Sequence, residues 1–121
     1  MEKPGLRRER RRSPRSLINL PLEYQVMNAP HAHGGLVANM SDSGLLIHSV
    51  RKIDIGTKLN IAVLFPKGYQ LANFEVVAEV VWKDYYREAD WEGYQYGLKF
   101  THMSGEDHSK LKELLSRVQK G

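Results

Sequence analysis

Apolar and polar residues alternate along most of this chain, and the alternation predicts strands. Leu20, Leu22, Tyr24 and Val26 fall on one face while Glu23 and Gln25 fall on the other, the period of a half-buried strand. Asn28–Gly35 reads as a loop, marked by Pro30 and the Gly34-Gly35 pair. Leu36–Met40 and Leu45–Ser49 are short strands joined by the polar turn Ser41–Gly44. After a turn at Asp54-Ile55-Gly56, Leu59, Ile61, Val63 and Phe65 alternate with Lys58, Asn60, Ala62 and Leu64 up to Pro66. Pro66-Lys67-Gly68 predicts another turn. Phe74, Val76, Ala78, Val80 and Trp82 then share a face opposite Glu75, Val77, Glu79, Val81 and Lys83. Asp84–Glu92 reads as a charged, solvated loop, and Tyr94, Tyr96, Leu98 and Phe100 mark a last strand. About six short strands joined by Gly and Pro turns predict a mainly β fold, a small antiparallel barrel.

The period changes at the C-terminal end. Leu111, Leu114, Leu115 and Val118 recur at i, i+3, i+4 and i+7, the apolar stripe of a helix expected over 104–119. Ser104 and Asp107 resemble a capping box, with Asp in place of the usual Glu or Gln. Lys110, Lys112, Arg117 and Lys120 suit the negative end of the helix dipole. Such a stripe usually faces its own core, so the helix is expected to plug one barrel opening.

At 121 residues the chain fits one domain with a core of its own. With 41% apolar and 26% charged residues it is ordinary globular material, which excludes wholesale disorder. There is no cysteine, so disulfides and thiolate metal sites are excluded. No apolar run approaches a membrane span, and the basic N-terminal stretch lacks the apolar segment of a secretory signal. The expectation is a cytoplasmic protein without membrane insertion.

Charge is unevenly placed. Residues 1–15 hold seven of the 18 Lys/Arg and two of the 14 acidic residues, net +5; the other 106 residues hold 11 and 12, net −1. A near-neutral body with a basic arm points to an anionic partner. The five histidines show no zinc-ligand spacing and read as exposed loop residues, so no metal is expected. Asp84, Glu88, Asp90 and Glu92 cluster without apolar cover to shift a pKa, and no nucleophile elbow or phosphate loop occurs; no catalytic residue and no enzyme activity are expected.

Two segments carry recognition chemistry. Arg10-Arg11-Arg12-Ser13-Pro14-Arg15 packs four guanidiniums into six residues, stiffened by Pro14. Guanidinium grips phosphate, pairs with guanine O6 and N7, and stacks on bases. Alone, such a run also suits a solubilising tail. Asn39 follows 24 residues after Arg15. Asn39 and Ser41 flank Met40, so both side chains leave one face of a strand and offer an amide and a hydroxyl. Gly44 permits a positive φ and a close backbone approach at the turn. Alone, this segment also reads as a simple polar turn.

In this order and spacing, R-x-x-x-R (Arg11, Arg15) followed by D/N-x-S-x-x-G (Asn39, Ser41, Gly44) resembles a PilZ domain. The resemblance extends over Phe65-Pro66-Lys67-Gly68, the Val76–Trp82 strand, Tyr96-Gly97-Leu98-Lys99-Phe100 and the closing helix. Asn39 in place of Asp stays within the family pattern. The resemblance implies a six-stranded barrel that binds cyclic di-GMP, with no cofactor. By position, Arg11 and Arg15 would grip phosphate and guanine, Asn39 and Ser41 would hydrogen-bond the ligand, and Gly44 would shape the turn. An arginine at Arg10 is associated in that family with a stacked pair of ligands. The implied organisation is a basic tail over 1–8 and a PilZ domain over 9–121, divided into an arginine arm (9–15), a barrel (16–101) and the helix. The expected function is a cyclic di-GMP sensor or adaptor that changes conformation and acts through a partner protein. The alternative is a nucleic-acid-binding barrel with Arg7–Arg15 tracking phosphates. A body of net −1 argues against nucleic acid, which needs basic residues across the binding face.

Overall fold

A computed structural model describes residues 19–120, and of residues 118–120 the backbone alone. Arg10, Arg11 and Arg15, with the rest of the basic arm, lie outside the described residues, as does the side chain of Val118. Six strands, β1 (Leu20–Val26), β2 (Ala32–Met40), β3 (Gly44–Ser49), β4 (Lys58–Lys67), β5 (Gln70–Glu88) and β6 (Trp91–His102), precede helix α1 (Gly105–Lys120). All neighbours are antiparallel, and the order β1-β2-β3-β6-β5-β4 closes on itself through β4 and β1. Closure removes the edges of an open sheet.

The alternating residues fill the interior. Tyr24, Val37, Ile47, Leu59, Val63, Phe74, Val80 and Tyr96 are among those fully buried. Glycine and asparagine set the turns. Ala29 donates to the Val26 carbonyl across Asn28 (φ 70°), Thr57 donates to the Asp54 carbonyl across Gly56 (φ 95°), and Gly68 (φ 63°) opens the two-residue β4–β5 turn.

Three expectations need correction. Asp84–Glu92 is no loop: β5 and β6 continue as a paired ribbon beyond the barrel, with Tyr85 opposite Tyr94 and Glu88 opposite Trp91. Trp82 does not share the interior face; a register shift between Val80 and Trp82 turns it outward, 44% exposed. The loop after Asn28 is also shorter than the glycines suggested, because β2 starts at Ala32.

Two buried tyrosines knit the connection after β3 to the core. The Tyr24 hydroxyl is 2.8 Å from Oγ of buried Ser49, which accepts from the Arg51 N–H at 3.2 Å. The Tyr96 hydroxyl donates to the Arg51 carbonyl and accepts from the Ile53 N–H, both at 2.7 Å. These bonds satisfy polar groups that the loop would otherwise bury unpaired, and they hold Ile53 in the core.

Helix α1 seals one end. Leu111, Leu114 and Leu115 are buried, as the stripe predicts. Ser104 Oγ accepts from the Asp107 N–H (3.1 Å) and donates to Asp107 Oδ2 (2.7 Å). Asp107 does not reach back to the Ser104 backbone as a capping-box Glu would; its Oδ1 accepts from the Glu75 N–H at 3.0 Å, tying the helix start to β5. Arg117 donates to the Pro66 carbonyl at 3.1 Å near the other end. No helix among the described residues is long and apolar enough to cross a membrane.

Candidate functional site

The β2–β3 hairpin brings Asn39, Ser41 and Gly44 to one shallow groove of about 280 Å³ on the outside of the barrel. Its construction begins with a bulge. Val37 pairs with Ile47 and Asn39 with Leu46, so Ala38 is the extra residue and both Ala38 and Asn39 lie off the core. Met40 is buried between Asn39 and exposed Ser41, which confirms that these two side chains share the outer face. Asn39 Oδ1 accepts from the Met40 N–H at 2.8 Å, so its amide group is the donor left for a ligand. Ser41 Oγ accepts from the Ser43 N–H at 3.2 Å and lies 3.3 Å from Ser43 Oγ; it builds the turn as well as facing the groove.

Of the two roles expected of Gly44, the close backbone approach holds and the positive φ does not. Its φ is not positive. A Cβ at this position would instead run into the Leu98 carbonyl oxygen of the neighbouring strand, so glycine is required for close approach of β3 and β6. Gly44→Ala should force those strands apart and cost about 1–3 kcal/mol, the range for overpacking. Urea denaturation checks this, and an unchanged midpoint would contradict it.

Leu46, Val81 and Gly97 also line the groove, none of them singled out for this role from sequence. A Cβ on Gly97 would lie 3.2 Å from Trp82 Cβ, so the missing side chain makes room for the outward Trp82. The lining residues carry no charge. The groove thus offers hydrogen bonds and apolar surface, and any cation must come from outside it. The sequence holds cations within chain reach. Leu20 pairs with Val37, two positions from Asn39, and five residues separate Leu20 from Arg15, a span of up to about 17 Å.

Two further recesses differ in chemistry. One of about 420 Å³ includes Glu23, Glu75 and Asp107, which repel an anion. The other, about 460 Å³, runs along β2 and β3 beneath the β5–β6 ribbon and includes Asn19, Gly34, Gly35, His48, Tyr86, Glu88 and Trp91. His48 is therefore not an exposed loop histidine: it stacks on Tyr86 (ring centres 4.6 Å apart, planes at 25°) and lies 5.4 Å from Trp91. Gln95 Nε2 donates to His48 Nε2 at 2.9 Å. Burial lowers the His48 pKa against the opposing pull of Glu88, so the neutral ring is favoured. Burial and a 2.7 Å hydrogen bond to Glu88 push the Tyr86 phenol up to about 12. Among the described residues no group of three or more His, Asp or Glu is placed to hold a metal ion.

Comparison with known proteins places this geometry. No curated protein matches the chain. Among solved structures, the Bacillus subtilis inhibitor of motility MotI/DgrA superposes with a TM-score of 0.67 at 17% identity, over 84% of this chain and 47% of that one. K. pneumonia MrkH superposes at 0.61 with 15% identity, over 91% of this chain and 50% of that one. Its apo form gives 0.64 and 13% over 98% and 53%. The chain thus spans about half the length of these structures, and they share its fold. The family pattern described as PilZ domain matches residues 9–117, which takes in the arginine arm, the whole barrel and most of the helix. With arginine segment, hairpin and closed barrel all inside that match, the chain belongs to the PilZ domain family.

Proposed function

We propose that this chain binds cyclic di-GMP and acts as a non-catalytic sensor or adaptor, passing a ligand-dependent change in conformation to a partner protein inside the cell. The observation that carries this reading is the outward set Asn39, Ser41 and Gly44, on an uncharged groove within reach of R-x-x-x-R in a PilZ-family barrel. Cyclic di-GMP has two phosphates and two guanines, and arginine suits all four groups. Arg11 and Arg15 supply charge from the arm, Asn39 and Ser41 hydrogen-bond the ligand, and Leu46 and Val81 give apolar surface for a base. Similarity of fold to an inhibitor of motility fits a protein whose output lies in another protein.

Calorimetric titration with cyclic di-GMP tests the reading, with GTP and a short oligonucleotide as controls. Saturable heat with the cyclic dinucleotide alone is expected. Binding of the oligonucleotide in its place would overturn the proposal.

Stoichiometry follows from charge. Two stacked cyclic dinucleotides bring four phosphates together, with mutual repulsion on the order of 1 kcal/mol per close pair even in high dielectric. Arg10, immediately before the R-x-x-x-R pair and the position that the family resemblance links to a stacked pair, adds a further guanidinium to offset it. Arg10→Leu should lower the ligand-to-protein ratio from about two to about one while the first molecule still binds. A wild-type ratio near one in the same calorimetry would contradict this.

A further inference from the structure

We propose that the recess between His48, Tyr86, Glu88 and Trp91 is a guanidinium-binding site, and that its occupant in the ligand-free protein is the arginine segment of the same chain, Arg7–Arg15. Chain connectivity places the segment there. Asn19, where the described chain begins, is itself part of the recess wall. Arg15 is four residues away and Arg12 seven, reaches of up to about 14 and 24 Å.

The chemistry of the recess selects the group. The Tyr86 hydroxyl donates to Glu88 Oε2 at 2.7 Å, which fixes that carboxylate and leaves Oε1 to accept. Tyr86 and Trp91 stand 5.6 Å apart, beside it. A guanidinium stacks flat on an aromatic ring and donates to a carboxylate in the same plane, whereas an ammonium is a point charge without a face. Among the described residues no cation pairs with Glu88, while neighbouring Arg87 is engaged by Glu92 at 3.2 Å. The ribbon over Lys83–Glu92 carries net −2 against the +5 of residues 1–15. Gly34 leaves part of the β2 side of the recess, beside Leu36, without a side chain, which gives an incoming backbone room to cross.

Tethering favours this occupant over a foreign peptide, since a short linker supplies an effective concentration in the millimolar range. On the proposed function, the same arginines cannot hold both the recess and a cyclic dinucleotide. The parked fraction therefore reduces apparent ligand affinity and gives the sensor its ligand-free state.

The test needs no ligand, so its failure is separable from failure of the cyclic di-GMP reading. In full-length protein carrying Trp82→Phe, Trp91 gives the single indole N–H resonance. Replacing Arg7, Arg8, Arg10, Arg11, Arg12 and Arg15 together by Gln should shift that resonance and the Gly34 and Gly35 amides. The difference from the unsubstituted arm should fade as salt is raised to about 0.5 M, where the screening length falls to a few ångströms. It should not vary with protein concentration. In Glu88→Gln protein the same arm replacement should shift the indole at least threefold less. No shift at low salt would overturn the proposal, as would an equal shift in Glu88→Gln protein. A shift that grows with protein concentration would assign the recess to the arm of a second copy and overturn it equally.

Discussion

Leu111→Ala should cost the fold about 2–5 kcal/mol, the range for truncating a buried leucine. Leu111 is fully buried, and with Leu114 and Leu115 it is the surface through which α1 seals the barrel. A helix of 16 residues is marginal in water by itself, so its order depends on that packing. The polar ties at Asp107 and Arg117 orient it but are exposed, and exposed polar contacts contribute little. With a urea m-value of about 1–3 kcal/mol/M, the midpoint should fall by roughly 1–3 M. The hairpin groove is formed by β2, β3, β5 and β6 with no residue of α1 in its lining, so the protein that remains folded should keep its ligand affinity. A loss below about 1 kcal/mol would mean that the site collapses freely around the smaller side chain.

The arginine pair should show the opposite pattern, large in binding and silent in stability. Each of Arg11→Ala and Arg15→Ala removes charge-assisted hydrogen bonds worth about 1–3 kcal/mol, a factor of roughly 5–150 in affinity. The double variant should bind cyclic di-GMP at least about 30-fold more weakly than wild type. Its urea midpoint should move little, because the core cluster among the described residues runs from Leu22 to Leu115. Calorimetry paired with denaturation reads both. Wild-type affinity in the double variant would place the ligand elsewhere.

Most of the barrel was legible because its strands are half-buried. Around Leu59–Phe65 and Phe74–Val80 one face must be apolar, and a period of two records it. The ribbon beyond Trp82 has no core to face. Asp84, Tyr85, Arg87 and Glu88 are all exposed, so strand pairing there leaves no periodic trace, and polarity alone suggested a loop. The outward turn of Trp82 depends on a register shift against β6, which is a property of two strands together. The site divides likewise. Asn39 and Ser41 could be placed on one face from their spacing. The need for glycine at Gly44 comes from the Leu98 carbonyl 54 positions away. The meeting of His48 with Tyr86 and Trp91 depends on strand order, which local pattern does not encode.

The hairpin groove has a lineage consequence. At Gly44 and Gly97 it is lined by glycines whose side chains would meet the neighbouring strand, at the Leu98 carbonyl and at Trp82, rather than by inserted loops. One codon change at Gly97 puts a methyl group against Trp82 while leaving every interior residue in place. A duplicated copy of this gene therefore reaches an altered groove in a single step and keeps a sound barrel for another use. On the proposed function, a change in ligand binding is mutationally near in such a design, and its reversal requires the same glycine to return.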